Sequence, residues 1–68
     1  MNLKQAPIDV RKAAALYGVH HGKYESVFES VSGPERIVAK IYPPTGKWFC
    51  IIESDIEYVA SKEWKDIL

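Results

Sequence analysis

The sequence holds a single cysteine, Cys50, among 68 residues, so no disulfide can form within the chain. Disulfide frameworks belong to oxidising compartments, and their absence here favours a reducing one. No apolar run approaches the roughly 20 residues that a membrane-spanning helix needs. The N-terminus also lacks the apolar segment and cleavage site of a secretory signal. We therefore expect a cytoplasmic protein.

The sequence also lacks net charge, because nine basic residues balance nine acidic ones. A neutral chain has no long-range field that steers it toward nucleic acid. The charges are nevertheless unevenly placed: residues 1–50 hold seven Lys or Arg and four Asp or Glu, and residues 51–68 hold two and five. Between positions 36 and 47 there are three basic residues and no acid, namely Arg36, Lys40 and Lys47.

Motifs for catalysis are missing as well: there is no phosphate-binding loop, no nucleophile–histidine–acid triad and no pair of catalytic carboxylates. His20 and His21 are adjacent, so their side chains diverge, and no third ligand follows at a spacing typical of metal sites. The acidic cluster of Glu53, Asp55 and Glu57 is better explained by helix capping and the helix dipole. We expect a protein that is not an enzyme and binds no cofactor or metal.

What the sequence does contain predicts one domain over residues 1–68, with 1–7 as an N-terminal tail. A chain this short buries only about 60% of the surface that its unfolded form exposes. After Pro7, a favourable first-turn residue, apolar residues follow the helical spacing. They are Val10, Ala13, Ala14 and Tyr17. Gly18 is expected to end this helix in the left-handed conformation.

A second helix is predicted over residues 24–31, because its apolar residues repeat the same spacing and Val27–Phe28 breaks strict alternation. The dipeptide Ser32–Gly33 and Pro34 would close it. Two helices that meet at Gly18, with the small Ala14 at their crossing, indicate a helix-turn-helix. An ordinary corner between two helices needs the same residues, and this alternative stays open.

The rest of the chain predicts an antiparallel hairpin and a third helix. "RIVAKIY" and "KWFCIIE" are rich in β-branched and aromatic residues, and "PPTG" at 43–46 is typical of a turn. Ser54 and Glu57 have the spacing of a capping box, followed by an apolar stripe. The predicted order is helix-helix-β-hairpin-helix, an α+β fold of the small winged helix-turn-helix class.

The segment "KIYPPTGKW" (40–48), leading into "FCIIESDIEYV" (49–59), resembles the wing and following helix of phage excisionases and related winged-helix regulators. The resemblance implies an architectural factor or small transcriptional regulator of phage or mobile-element type, which binds double-stranded DNA and acts in DNA recombination. Neighbouring copies would associate on the DNA. The second helix would enter the major groove and the wing the minor groove. The implied contacts are His20, His21, Lys23 and Ser26 from the helix, and Lys40, Thr45 and Lys47 from the wing. Arg36, the third basic residue between positions 36 and 47, is a further candidate contact on the wing.

The alternative is a protein-interaction module with the same fold and no DNA partner. Glu25 and Glu29 would make the second helix acidic, which a polyanion repels. Exposed aromatic residues, such as Tyr42 and Trp48, would then contribute to a face for a protein partner. The two functions differ in the sign of the potential on the face of the second helix and wing.

Overall fold

A computed structural model of the protein describes residues 1–20 and 25–67. Its elements are, in chain order, a short 3₁₀ helix (Leu3–Gln5), α1 (Ile8–Leu16), β1 (Val27–Ser30), β2 (Ile37–Tyr42), β3 (Phe49–Ile52), α2 (Glu53–Ala60) and α3 (Trp64–Ile67). The three strands form one antiparallel sheet in the order β1-β2-β3. The predicted α+β class is confirmed.

The first helix is confirmed, including the way it ends. α1 begins directly after Pro7 and buries Val10, Ala13 and Ala14. Gly18 has φ +85°, and its amide donates to the carbonyl of Ala15 at 3.0 Å. Only glycine adopts this backbone conformation without a steric cost, so the chain turns back where the sequence predicts.

Replacing Gly18 with alanine is expected to lower the free energy of unfolding by roughly 1–2 kcal/mol, the cost of the left-handed conformation for an L-residue. A Cβ at this position would meet no atom within 4 Å, so the loss would come from the backbone alone. Gly33→Ala is the matched control, because Gly33 also has open space and no positive φ. Urea unfolding measures both, and equal stabilities for the two variants would contradict the assignment.

The predicted second helix over 24–31 is wrong in the part that the structure describes, where β1 is a strand. Burial alternates along it: Ser26 and Phe28 are buried, whereas Val27 and Glu29 are exposed. A period of two is the signature of a strand with one covered face. The element order is therefore helix-strand-strand-strand-helix-helix, and the described residues contain no helix-turn-helix.

The hairpin is confirmed, with a longer connection than the four-residue turn expected. β2 pairs with β3 in antiparallel register, and a bulge lies between Ile37 and Ala39. Residues 43–48 join the two strands. Gly46, at φ +91°, supplies the one left-handed residue in this loop.

Residues 1–7 were expected to form a tail, yet they pack against the sheet. Leu3 and Ala6 are buried in the core. The amide of Phe28 donates to the carbonyl of Met1, and the amide of Leu3 donates to the carbonyl of Ser26, both at 2.7 Å. The N-terminal segment thus pairs with the outer edge of β1, which would otherwise leave its hydrogen-bonding groups unpaired.

The predicted C-terminal helix is present, but it starts earlier and is interrupted. α2 follows β3 without a loop, and the amide of Ile52 donates to the Asp55 carboxylate at 3.1 Å. The cap therefore lies two residues before the predicted pair of Ser54 and Glu57. A turn at 61–63 separates α2 from α3. No helix among the described residues is long and apolar enough to cross a membrane.

The core lies on one face of the sheet, which we call the inner face. There the strands contribute Phe28, Ala39, Ile41 and Ile51, which pack against buried residues of α1 and the N-terminal segment. The opposite surface, called the open face, carries the alternate residues of the strands. Within the described residues, the helices pack on the inner side, so the open face is left uncovered.

Candidate nucleic-acid interface

A basic and aromatic cluster lies on the open face at the loop end of the hairpin. Lys40 and Tyr42 are two residues apart on β2, so they share a face, and Trp48 immediately precedes β3. The ring centroids of Tyr42 and Trp48 are 6.2 Å apart, and the Lys40 Nζ lies 5.6 Å from the centroid of the Trp48 ring. We call these three residues the Lys–Tyr–Trp cluster. Trp48 is 57% exposed, an unusual position for so large a ring.

The loop at 43–48 adds further polar groups beside this cluster. Thr45 and Lys47 are both exposed in it. Neither Lys40 nor Lys47 forms an ion pair; the salt bridge found among the described residues joins Lys65 to Glu63. Among the described residues, the ammonium groups of Lys40 and Lys47 are therefore free of ion pairs and available to an anionic partner.

One acidic residue opposes this positive charge on the open face. Glu29 of β1 is the cross-strand partner of Lys40, and no salt bridge forms between them in the described structure. Opposite charges in this position attract each other weakly across water. The hairpin end is thus only modestly positive, which agrees with the neutral composition of the whole chain.

The other predicted wing residue, Arg36, lies at the far end of β2. It is exposed and just precedes the strand, about 13 Å along the chain from Lys40 at the usual rise per strand residue. Its backbone carbonyl accepts a hydrogen bond from the amide of Glu53 at 3.0 Å. Arg36 therefore belongs to the same hairpin but not to the cluster.

The residues predicted to contact DNA from a second helix are not brought to this surface. Ser26 is fully buried, and its hydroxyl has no hydrogen-bond partner among the residues that the structure describes, so it cannot reach a phosphate. His20 is half-buried just after α1, with its Nδ1 atom inside the protein. His21 and Lys23 lie outside the described residues.

Two members of the cluster, Tyr42 and Trp48, did not belong to the predicted DNA contacts and appeared only in the protein-partner alternative. The signal that could have found them is their place on either side of the Pro-Pro-Thr-Gly-Lys turn. In a hairpin, residues that flank the turn face each other across the strands. Their side chains then meet on one face, as the structure shows.

Tyr17, at the end of α1, contacts both the hairpin and α2. The Tyr17 hydroxyl lies 3.0 Å from both carboxylate oxygens of Asp55 and donates to them, and its ring centroid is 5.0 Å from that of Phe49. Burial of the phenol raises the pKa of Tyr17, and the hydrogen bond to Asp55 raises it further. The end of α1 is thereby joined to the start of both β3 and α2.

The arrangement can bind an anion and a flat apolar or aromatic surface together. Among residues 1–20 and 25–67, no three His, Cys, Asp or Glu side chains are grouped to hold a metal ion. Cys50, the cross-strand partner of Lys40, is half-buried and is not part of a disulfide.

Comparisons with protein-family models, with curated proteins and with solved structures found no match to this chain. The resemblance of residues 40–59 to the wing and following helix of phage excisionases consequently stays a prediction. The case for any function depends on the geometry of the described residues.

Proposed function

We propose that the chain is a non-enzymatic protein that binds double-stranded DNA, as an architectural factor or small transcriptional regulator of the excisionase type. The observation that carries the proposal is the Lys–Tyr–Trp cluster on an uncovered sheet face. The proposal keeps the hairpin of the predicted winged-helix protein. It does not use a recognition helix, since residues 27–30 form a strand.

The hairpin has a suitable shape for this task. The major groove of B-DNA is about 12 Å wide and admits a two-stranded β-ribbon, and several known DNA-binding proteins insert strands in this way. With β2 and β3 along a groove, Lys40 and Lys47 would contact backbone phosphates. Such contacts position a protein on DNA without specifying sequence.

The exposed rings are stronger evidence for an interaction site than the lysines, because lysines are common on any protein surface. A contiguous apolar patch on an otherwise polar surface marks an interaction site. Here Trp48 and Tyr42 pack against each other, and the Lys40 ammonium group lies over the Trp48 ring. A partner that presents sugars and base edges beside phosphates would satisfy both the apolar and the cationic part of the cluster.

The salt dependence of binding tests the proposal. Each neutralised phosphate contributes a slope of about −0.9 to the plot of log affinity against log salt. Contacts by Lys40, Lys47 and Arg36 therefore predict a slope of about −2 to −3. Fluorescence anisotropy of a labelled random duplex, titrated at several salt concentrations between about 50 and 200 mM, measures it. No binding at the lowest salt would contradict the proposal.

A protein partner is the second candidate, because the open face also exposes Val27 (49%) and Ile52 (39%). Val27 is the cross-strand partner of Tyr42, and the two exposed side chains add apolar surface to the open face outside the Lys–Tyr–Trp cluster. An interface of this kind would depend weakly on salt, since burial of apolar surface does not release counterions. This candidate is preferred if the duplex shows no affinity.

A further inference from the structure

A second surface, distinct from the open face, is an acidic groove where α1, the start of β2 and α2 meet. Its volume is about 380 Å³, within the range of small-ligand and side-chain pockets. The residues that line it are Pro7, Asp9, Val10, Val38, Glu53, Ile56 and Glu57. We call this the acidic groove.

The floor of the acidic groove is apolar and its charged residues are all of one sign. Val10 is buried, and Val38 and Ile56 are half-buried and pack against the core. Every charged residue that lines it is a carboxylate. In the described structure, none of these three carboxylates forms a salt bridge, so the groove combines unneutralised negative charge with apolar walls.

Stabilisation of the helix N-termini explains two of the three carboxylates in the groove but not the third. Asp9 and Glu53 lie in the first turns of α1 and α2, where the helix dipole favours an acid. Glu57 is four residues beyond Glu53, past the first turn. Like charges at this spacing face each other and destabilise a helix. The backbone carbonyl of Arg36 accepts from the amide of Glu53, yet among the described residues the Arg36 guanidinium pairs with neither glutamate.

We propose that the acidic groove binds an arginine side chain from a basic peptide segment of a partner protein. The aliphatic stem would lie along Val38 and Ile56, while the guanidinium would lie among the carboxylates. Arginine has an apolar stem with a charged head, and its planar head donates to several carboxylate oxygens at once. Charge complementarity selects this occupant, since any anionic or neutral segment would leave the carboxylates unpaired.

The acidic groove opens where β2 starts and β3 ends, whereas the Lys–Tyr–Trp cluster lies where β2 ends and β3 starts. A peptide in the groove would therefore leave the Lys–Tyr–Trp cluster and Lys47 free, and only Arg36 lies near both surfaces. The inference consequently stands or fails independently of DNA binding.

The test is a titration of the ¹⁵N-labelled protein with a blocked pentapeptide that contains two arginines, followed by amide chemical shifts. We expect shifts centred on Val38, Ile56 and Glu57. The peptide with citrulline in place of arginine keeps the shape and loses the charge, and it should produce no saturable shifts. Equal binding of both peptides would overturn the proposal.

Variants of the protein locate the site. The double variant Glu53→Gln/Glu57→Gln should bind the arginine peptide with an affinity about fivefold or more lower, the loss expected for two partly exposed charge pairs. Glu25→Gln with Glu29→Gln is the matched control, because it removes the same charge outside the groove and should change affinity less than about twofold. Equal losses in both double variants would show non-specific attraction and overturn the inference.

Two further measurements keep the result interpretable. Residue 57 lies outside the first turn of α2, so the single variant Glu57→Gln should retain the fold. Its affinity for the arginine peptide should still fall if the groove is the site. Sedimentation velocity without peptide should show a monomer at the concentrations of the titration. Self-association that disappears in the Glu53→Gln/Glu57→Gln variant would assign the groove to a second copy of this chain and overturn the proposal.

Discussion

Phe28→Ala is expected to remove most of the stability of this protein. The side chain is 5% exposed and belongs to the core cluster on the inner face. Truncation of a buried phenylalanine costs about 3–5 kcal/mol, because burial is lost and a cavity remains. A chain of 68 residues has a total free energy of unfolding of roughly 3–10 kcal/mol. Urea unfolding followed by tryptophan fluorescence measures the loss.

Val27→Ala is the matched control for this experiment, since Val27 is adjacent in β1 and 49% exposed. We expect it to cost less than about 1 kcal/mol, the range of strand preferences at partly exposed positions. If Phe28→Ala fails to fold, Phe28→Leu gives a milder loss that remains measurable. Comparable losses for Val27→Ala and Phe28→Ala would contradict the alternation of β1 and restore a helix that buries both residues.

The contrast between these two neighbours explains why the sequence predicted a helix here. The burial pattern of residues 26–29 has a period of two, but polarity does not follow it: Ser26 is polar and buried, and Val27 is apolar and exposed. An alternation of polarity is what reveals a strand in a sequence. The N-terminal residues Met1 and Leu3 also form backbone hydrogen bonds with Phe28 and Ser26, and no local pattern predicts such contacts.

The elements that were predicted correctly have local causes. Gly18 ends α1 because of its own backbone freedom, and the hairpin forms between two β-rich runs on either side of a proline–glycine turn. The start of α2 was misplaced because its N-cap is Ile52, an apolar residue that gives no capping signal in a sequence, with the Asp55 carboxylate accepting from its amide. The predicted basic residues of the wing do lie on the hairpin. Their aromatic neighbours entered the site only once the register of the strands was known.

Lys40→Ala with Lys47→Ala is expected to produce the largest change in DNA binding. Two phosphate contacts contribute about 1.8 to the slope of log affinity against log salt. Relative to the wild type, the double variant should therefore show a slope shallower by about 2 and an affinity roughly 50-fold lower near 0.1 M salt. All duplex sequences should be affected alike, since contacts to phosphates carry no sequence information. Anisotropy titrations at several salt concentrations give both quantities.

Lys62→Ala with Lys65→Ala supplies the control, because it makes the same change in net charge beyond the end of α2, away from the hairpin. A contact surface limited to the hairpin predicts less than about a threefold loss for this variant, since only the long-range field changes. Loss of the Lys40 ammonium also removes its contact with Trp48, which is worth about 0.5–1 kcal/mol at an exposed site. Thermal unfolding must therefore show that the Lys40→Ala/Lys47→Ala variant remains folded. Equal losses of affinity in the two double variants would mean that DNA responds to charge in general, and the hairpin would no longer be its binding surface.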